Sequence, residues 1–163
     1  MPRLDKFSKI MNFNELKSHV NWAISCLYAR DSMLFRIDAA EWAIAHRLAV
    51  YLERRLPQWN VDCEYNRQGI YGNSKRNELD AIVRPDITIH HRGEMTIQHN
   101  LLVMELKKRE DEIDLEKVRQ YTALPNGTRL FQYQYGLSVS FIPEFGTHWF
   151  RNGEEFLNGT ELE

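Results

Sequence analysis

The stretch RPDITIHHRGEMTIQHNLLVMELKK, residues 84–108, decides the fold of this chain. Its run of large apolar residues at 101–104 is typical of a strand that is buried on both faces of a sheet. Glu105 and Lys107 come directly at the end of that run. Because an isolated charge is costly to remove from water, each of these groups needs a partner or a metal ion. The sequence therefore predicts a charged site at the end of a buried strand.

A turn signal separates two strand-like halves of this region, residues 79–91 and 96–108, and predicts a hairpin. If the halves pair antiparallel about a turn near the middle, Asp86 lies opposite Glu105, because the paired residue numbers keep a constant sum. Side chains alternate between the two faces of a strand, so Glu105 and Lys107 share one face. We expect Asp86, Glu105 and Lys107 to lie together on one face of the hairpin.

The remaining elements follow from apolar periodicity and from helix-capping and turn residues. Helices are predicted in three places: over 13–28, from Asp38 as N-cap to just before Pro57, and from Asp111 or Asp114 to Pro125 and Gly127. Further strands are predicted at 61–67, 135–143 and 147–156, the last with a turn at Asn152 and Gly153. This order predicts one α/β domain over residues 1–163, with a mixed central β-sheet flanked by helices.

Glu41 lies on the apolar stripe of the second predicted helix, together with Ile44 and Leu48. A glutamate on the core-facing side of a helix needs a partner. Pairing with an arginine, or a place in the first turn where the helix dipole favours an acid, is the simpler explanation of Glu41. A surface ion pair explains Glu105 and Lys107 equally simply. Three acids and a lysine directed at one end of a sheet favour a shared site instead.

Such a cluster of carboxylates is suited to a hard divalent cation, and above all to Mg²⁺, for which Mn²⁺ is expected to substitute. The cation polarises a phosphoryl oxygen and lowers the pKa of a bound water molecule. A neighbouring lysine positions that water or neutralises the charge that develops on the phosphate. The residues therefore predict hydrolysis of phosphodiester bonds.

The residues PD at 85–86, followed after eighteen positions by ELK at 105–107, resemble the PD-(D/E)xK signature of the restriction-endonuclease-like nuclease superfamily. The resemblance implies a core in which a helix is followed by three strands, a helix and a strand. We expect this core over about residues 38–143, with the helix at 13–28 packed on it. It also implies a metal-dependent nuclease, for which DNA is the expected substrate.

The resemblance further implies a role for each residue of the motif. Asp86 and Glu105 are expected to bind the metal, and the backbone carbonyl of Leu106 to add a ligand. Lys107 is expected to act on the attacking water. Many members of the superfamily carry a glutamate on the first core helix, which corresponds here to Glu41.

Several other polar residues are candidates for supporting roles. Some members of the superfamily place a glutamine on the helix after the motif, and Gln120 occupies that helix here, where it is otherwise an ordinary exposed residue. Lys75, Arg76, Lys108 and Arg109 flank the predicted site in sequence and are expected to contact nucleic-acid phosphates. A solvated basic surface is the alternative explanation of these four residues.

The histidines of the hairpin region suggest a different nuclease chemistry. His90, His91, His99 and Asn100 lie in or beside the hairpin, without the strand-to-helix metal finger that a histidine nuclease needs. Glu64 on the preceding strand is a candidate for an extra acid near the metal, although a solvent-facing position explains it as well. These residues are therefore not included in the predicted site.

Composition sets limits on the class of protein. The net charge of −2 gives no general attraction to nucleic acid, so binding needs a local basic patch. No apolar run reaches the roughly 18 residues of a membrane span, and the first residues lack the features of a signal peptide, so we expect a cytoplasmic protein. Cys26 and Cys63 fit neither a disulfide framework nor a zinc site and are read as reduced core residues.

Two other functions compete with a nuclease. A nuclease-like domain that binds nucleic acid or a partner protein without cutting is the first, but such a domain has no need to keep Lys107 in the set. A purely structural subunit is the second, and it leaves the acids at one end of the sheet without a reason. Because so short a chain offers little recognition surface, a homodimer or a partner protein is also expected.

Overall fold

The structure, a computed structural model, describes residues 11–110 and 114–156 of the chain. The described helices are α1 (Phe13–Asp31), α2 (Met33–Arg36), α3 (Glu41–Arg55) and α4 (Leu115–Thr122). The described strands are β1 (Asn60–Cys63), β2 (Arg67–Gln68), β3 (Asn73–Ser74), β4 (Ile87–His90), β5 (Asn100–Arg109), β6 (Tyr135–Ile142), β7 (Gly146–Arg151) and β8 (Glu154–Phe156).

Six of the strands form one mixed sheet in the order β1-β4-β5-β6-β7-β8, and β2 and β3 form a separate hairpin. Strands β5 and β6 run parallel, whereas the other neighbours in the large sheet are antiparallel. The parallel pair is joined through α4, as a crossover between parallel strands requires. The prediction of an α/β chain with a mixed sheet flanked by helices is confirmed.

Helices α1 and α3 cover one face of the sheet. Asn12 is the N-cap of α1, because its side-chain oxygen accepts a hydrogen bond of 2.9 Å from the backbone N–H of Glu15. The apolar stripe of α1 is buried at Leu16, Val20, Ala23, Ile24 and Leu27. It packs in one hydrophobic cluster with the apolar residues of α3 and with Ile87, Met104 and Leu106 of the sheet.

The second long helix begins later than predicted. Helix α3 starts at Glu41, with Ala40 as the N-cap residue. Asp38 has a φ of 52°, a left-handed conformation that does not suit an N-cap, and its carboxylate pairs with Lys108 at 2.7 Å. The preceding segment, predicted to be a loop, contains the short helix α2.

The central hairpin has the predicted register, but both of its strands begin later than predicted, and a short 3-10 helix, Ile97–His99, precedes β5. Ile87 pairs with Met104, and Ile89 pairs with Leu102, before a bulge shifts the pairing at His90. The predicted strand over 79–86 is not formed. The side chain of Asn77 instead accepts two backbone hydrogen bonds from the residues after it and holds a turn there.

Helix α4 covers the opposite face of the sheet. Asp114 caps it by accepting a hydrogen bond of 3.1 Å from the backbone N–H of Lys117, whereas Asp111 lies outside the described residues. Of its buried residues, Tyr121 packs in a second cluster with Val103 of β5. At Gly136 of β6 an added Cβ would lie only 2.7 Å from Val118, so glycine permits α4 to approach the sheet.

Three smaller predictions can also be compared with the structure. The predicted terminal strand is the hairpin of β7 and β8, whose turn places Asn152 and Gly153 at φ angles of 53° and 78°. Both cysteines are free, but Cys63 is exposed, so its assignment to the core is wrong. Among the described residues, no helix combines the length and the apolar character that a membrane crossing needs.

Candidate active site at the end of the central hairpin

Asp86 lies immediately before β4, and its side chain is hydrogen-bonded to the backbone of β5. If the register of the hairpin is continued by one pair, Asp86 is opposite Glu105, on the face of the sheet that α4 covers. The Oδ2 atom of Asp86 accepts a hydrogen bond of 2.7 Å from the backbone N–H of Leu106. Its carbonyl oxygen accepts one of 3.2 Å from Glu64, whose side chain is exposed. The Asp86 carboxylate is therefore held in a defined position.

Glu105 of β5 is the most deeply buried acid of the site. Only 5% of this residue is exposed, since α4 and the neighbouring strands enclose it. Its Oε2 atom accepts a hydrogen bond of 2.8 Å from the ammonium group of Lys117. Its Oε1 atom is buried and has no hydrogen-bond partner. A buried carboxylate oxygen without a partner is costly and indicates a place for a cation or a donor.

The electrostatics of the two acids indicate a shortage of positive charge. Burial and then the charge of Asp86 raise the pKa of Glu105 to about 7, against the opposing effect of Lys117 and Lys107. Burial also raises the pKa of Asp86, although the N–H of Leu106 and the two lysines favour its charged form. Acids with such perturbed pKa values cluster at functional sites.

Glu41 and Lys107 form a second pair beside these acids. Glu41, the first residue of α3, accepts a hydrogen bond of 3.0 Å from the backbone N–H of Lys108 through its Oε2 atom. Its Oε1 atom lies 3.5 Å from the ammonium group of Lys107. Within the described residues, no three Asp, Glu, His or Cys side chains are arranged to hold a metal ion, so Glu41 does not complete such a group.

The oxygen atoms around Asp86 nevertheless suit a magnesium ion. Mg²⁺ is commonly held by one or two carboxylates, with water and substrate phosphates completing its shell. Asp86 and the unpartnered oxygen of Glu105 supply the carboxylates. In an antiparallel ladder the N–H and C=O of one residue project to the same side, so the Leu106 carbonyl projects toward β4, as its N–H does. These groups fit the ion as two carboxylates and a carbonyl.

Lys117 is the site residue that the sequence analysis missed. It lies in the first turn of α4 and contacts Glu105, whereas the predicted Gln120 donates a hydrogen bond of 3.0 Å to Glu116 on the helix surface. The signal for Lys117 was its spacing of four residues before Tyr121, which is buried. Residues four apart share a helix face, so Lys117 lies on the same side as the core stripe.

The predicted phosphate-binding residues are not equivalent in the structure. Lys75 is only 2% exposed, and its ammonium group donates hydrogen bonds to the hydroxyl of Tyr133 at 2.7 Å and to the carbonyl of Tyr65 at 3.1 Å. An amine enclosed in this way does not reach a phosphate, so the prediction for Lys75 is corrected. Arg76 donates to the carbonyl oxygen of Asp80 at 2.6 Å.

Of the other two basic residues, Arg109 is exposed at the end of β5. Lys108 is paired with Asp38 at 2.7 Å, and its side chain is 22% exposed. Both follow Lys107 directly in β5. Of the four predicted basic residues, Arg109 is therefore the one that is exposed.

The hairpin histidines pair with one another and with their surroundings. His90 lies 2.9 Å from the Asp62 carboxylate, and the Nδ1 atoms of His91 and His99 lie 2.9 Å apart. The ring of His91 also stacks on Trp59, with ring centroids 4.1 Å apart. These contacts account for the histidines as structural residues.

Asp86, Glu105 and Lys117 thus meet where β4, β5 and α4 converge, and Glu41 and Lys107 lie beside them at the end of β5. Four separate segments of the chain supply these side chains. No family model, no curated protein and no solved structure matches the chain.

Proposed function

We propose that the protein is a metal-dependent nuclease that hydrolyses phosphodiester bonds, with DNA as its substrate. The observation that carries the proposal is the buried carboxylate of Glu105, which leaves one oxygen without a partner beside the fixed carboxylate of Asp86. A site that serves stability alone gains nothing from two acids that each resist ionisation.

The chain order of the elements supports a restriction-endonuclease-like core. Helix α3 is followed by β1, β4 and β5 in the large sheet, then by α4 and β6. This is the helix, three strands, helix and strand that the superfamily resemblance implies. The motif residues lie at the corresponding ends of β4 and β5, which adds to the support.

The residues of the site divide the chemistry among them. A bound Mg²⁺ ion would polarise the phosphate and lower the pKa of a water molecule. Asp86 and Glu105 would hold the ion, and the N–H of Leu106 fixes the Asp86 carboxylate in position. Lys107, whose side chain is 32% exposed, would orient the attacking water or neutralise charge on the phosphate.

The charge of the molecule bears on how it would hold nucleic acid. With a net charge of −2, the chain relies on local contacts, for which Arg109 is the best placed of the four predicted basic residues. A second copy of the chain or a partner protein would supply further recognition surface. A second active site in such an assembly would then cut the other strand of the duplex.

A cleavage assay tests the proposal directly. Duplex DNA, single-stranded DNA and RNA are incubated with the protein in Mg²⁺, in Mn²⁺ and in a chelator. We expect metal-dependent cleavage of DNA, which Asp86→Asn and Lys107→Ala each reduce by about 100-fold or more. Arg119→Ala is the control, because Arg119 pairs with Glu116 on the surface of α4. This variant should cleave DNA as the wild type does.

The metal affinities of the two variants should differ. Asp86→Asn should bind Mn²⁺ poorly because it loses a ligand, whereas Lys107→Ala should bind it as well as the wild type or better, because a nearby positive charge is gone. Cleavage that persists in the chelator would contradict the proposal. Binding of DNA without cleavage under every condition would favour a nuclease-like domain that does not cut.

A further inference from the structure

The ion pair between Lys117 and Glu105 has one end in the interior and one end at the surface. The side chain of Glu105 is 7% exposed, whereas that of Lys117 is 38% exposed. The two charged groups lie 2.8 Å apart. The lysine side chain therefore reaches solvent, whereas the glutamate is almost fully enclosed.

The two partners also belong to different elements. Glu105 is fixed in the middle of the sheet, where it pairs with Ser138 of β6. Lys117 projects from the first turn of α4, and its backbone N–H is held by Asp114 at 3.1 Å. Because its backbone is secured independently, the Lys117 side chain can leave Glu105 by rotation alone. Neither β5 nor α4 has to move.

The motif lysine does not serve as this counter-ion. Lys107 lies 3.5 Å from Glu41, and among the described residues Lys117 alone makes an ion pair with either Asp86 or Glu105. The buried Glu105 and the half-buried Asp86 thus carry up to two negative charges against one contacting ammonium group. A divalent cation would match that charge in full.

We infer that Lys117 is a displaceable counter-ion of Glu105, which holds this carboxylate in the metal-free protein and releases it when a divalent cation enters. The inference rests on the proposed function, because it assigns the control of metal affinity at the same site. Lys117 acts here as a positioning residue. It keeps Glu105 oriented and its Oε1 atom free while the site lacks a metal, and its positive charge competes with the metal for the same carboxylate group.

Calorimetric titration with Mn²⁺ tests the inference. We expect Lys117→Met to bind Mn²⁺ about tenfold more tightly than the wild type, because a competing positive charge in contact with a ligand has been removed. Arg119→Met is the matched control, since it removes a positive charge from the same helix, where Arg119 pairs with Glu116. Its Mn²⁺ affinity should equal that of the wild type.

A second measurement needs no substitution and stays informative if Lys117→Met fails to fold. The side-chain ¹⁵N signal of Lys117 is followed by NMR while Mg²⁺ is added to the wild-type protein. We expect the slowly exchanging, paired ammonium group of the metal-free protein to become a freely exchanging one at saturation.

Two results would overturn the inference. One is weaker or unchanged Mn²⁺ binding by a folded Lys117→Met variant, and the other is a Lys117 signal that remains paired at saturating Mg²⁺. If the wild-type protein binds neither ion, the proposed function fails as well. If the wild type binds Mn²⁺ tightly and Lys117→Met binds it equally well, only the counter-ion role of Lys117 is rejected, and the proposed function stands.

Discussion

Glu105 occupies a position that is costly for the stability of the fold. It sits at the end of an apolar strand, 5% exposed, with one oxygen unpartnered and its pKa raised to about 7 by burial and by Asp86. In the unfolded chain the same carboxyl titrates near 4.5. Between these values the folded protein holds a proton that the unfolded chain has lost, so the stability contributed by this group falls as the pH rises.

This linkage predicts the behaviour of Glu105→Gln. The amide keeps the shape of the side chain and removes the buried charge. The stability of the variant should therefore not decline between about pH 4.5 and pH 7, as that of the wild type does. At pH 8, without metal, urea unfolding should show a gain of roughly 1–3 kcal/mol over the wild type. Saturating Mg²⁺ should stabilise the wild type but not the variant. A less stable variant at pH 8 would show that Glu105 is a structural residue.

Lys75 is a residue whose environment differs from the one that its sequence position indicates. Burial lowers the pKa of this amine to about 7, and the rings of Tyr65, Phe131 and Tyr133 surround it. The unfolded chain holds the proton up to about pH 10.5. Stability contributed by Lys75 should therefore be full above that pH and fall as the pH decreases toward 7.

The pH dependence of the free energy of unfolding tests the direction of this effect. The free energy of unfolding of the wild type should rise between about pH 7 and pH 10.5, and Lys75→Met should remove much of the rise. Lys17→Met serves as the control, because Lys17 lies on α1, outside the aromatic cluster. Parallel profiles for all three proteins would mean that the amine of Lys75 is solvated.

At the scale of elements, the packing of α4 on β6 decides whether Lys117 can reach Glu105. An added Cβ at Gly136 would meet Val118 Cγ1 at 2.7 Å and Thr122 Cγ2 at 2.8 Å. Both neighbours are branched close to the helix backbone, so neither can swing aside freely.

Gly136→Ala should therefore destabilise the protein by about 1–3 kcal/mol, because α4 has to move away from the sheet. Denaturant unfolding measures the loss. Val118→Ala in the same chain should recover part of it, since it removes one of the two clashing methyl groups. If the free-energy changes of the two substitutions simply add, α4 and β6 are not in tight contact at this position.

The elements also show which parts of the fold the sequence could predict. The register of β4 on β5 followed from the two-residue period and the constant sum, which are local rules. The segment 79–86 was mistaken for a strand because its apolar residues alternate, while Asn77 favours a turn through its own side chain. Asp38 looked like a cap but pairs with Lys108, which is distant in sequence.

At the scale of the whole molecule, the site was predicted in part. Asp86, Glu105 and Lys107 were found because one hairpin carries them all. Lys117 was missed because its spacing from Tyr121 indicates only the helix face on which it lies, whereas its contact with Glu105 depends on where α4 docks on the sheet. The same holds for Lys75, whose enclosure requires Tyr65 together with Phe131 and Tyr133, and the last two are distant from it in sequence. Long-range packing is the part that sequence reasoning does not supply.

The parallel pairing of β5 with β6 has a consequence for how the chain folds. Glu105 meets Lys117 and becomes buried only after α4 has crossed from one strand to the other and docked on the sheet. Contacts that close such a loop form late, after the local hairpin. Until α4 docks, water screens the repulsion between Asp86 and Glu105, so this repulsion is weak in the early part of the folding reaction. It should be felt chiefly in the rate of unfolding, so that relieving the repulsion lengthens the lifetime of the native state and leaves the speed of folding almost unchanged.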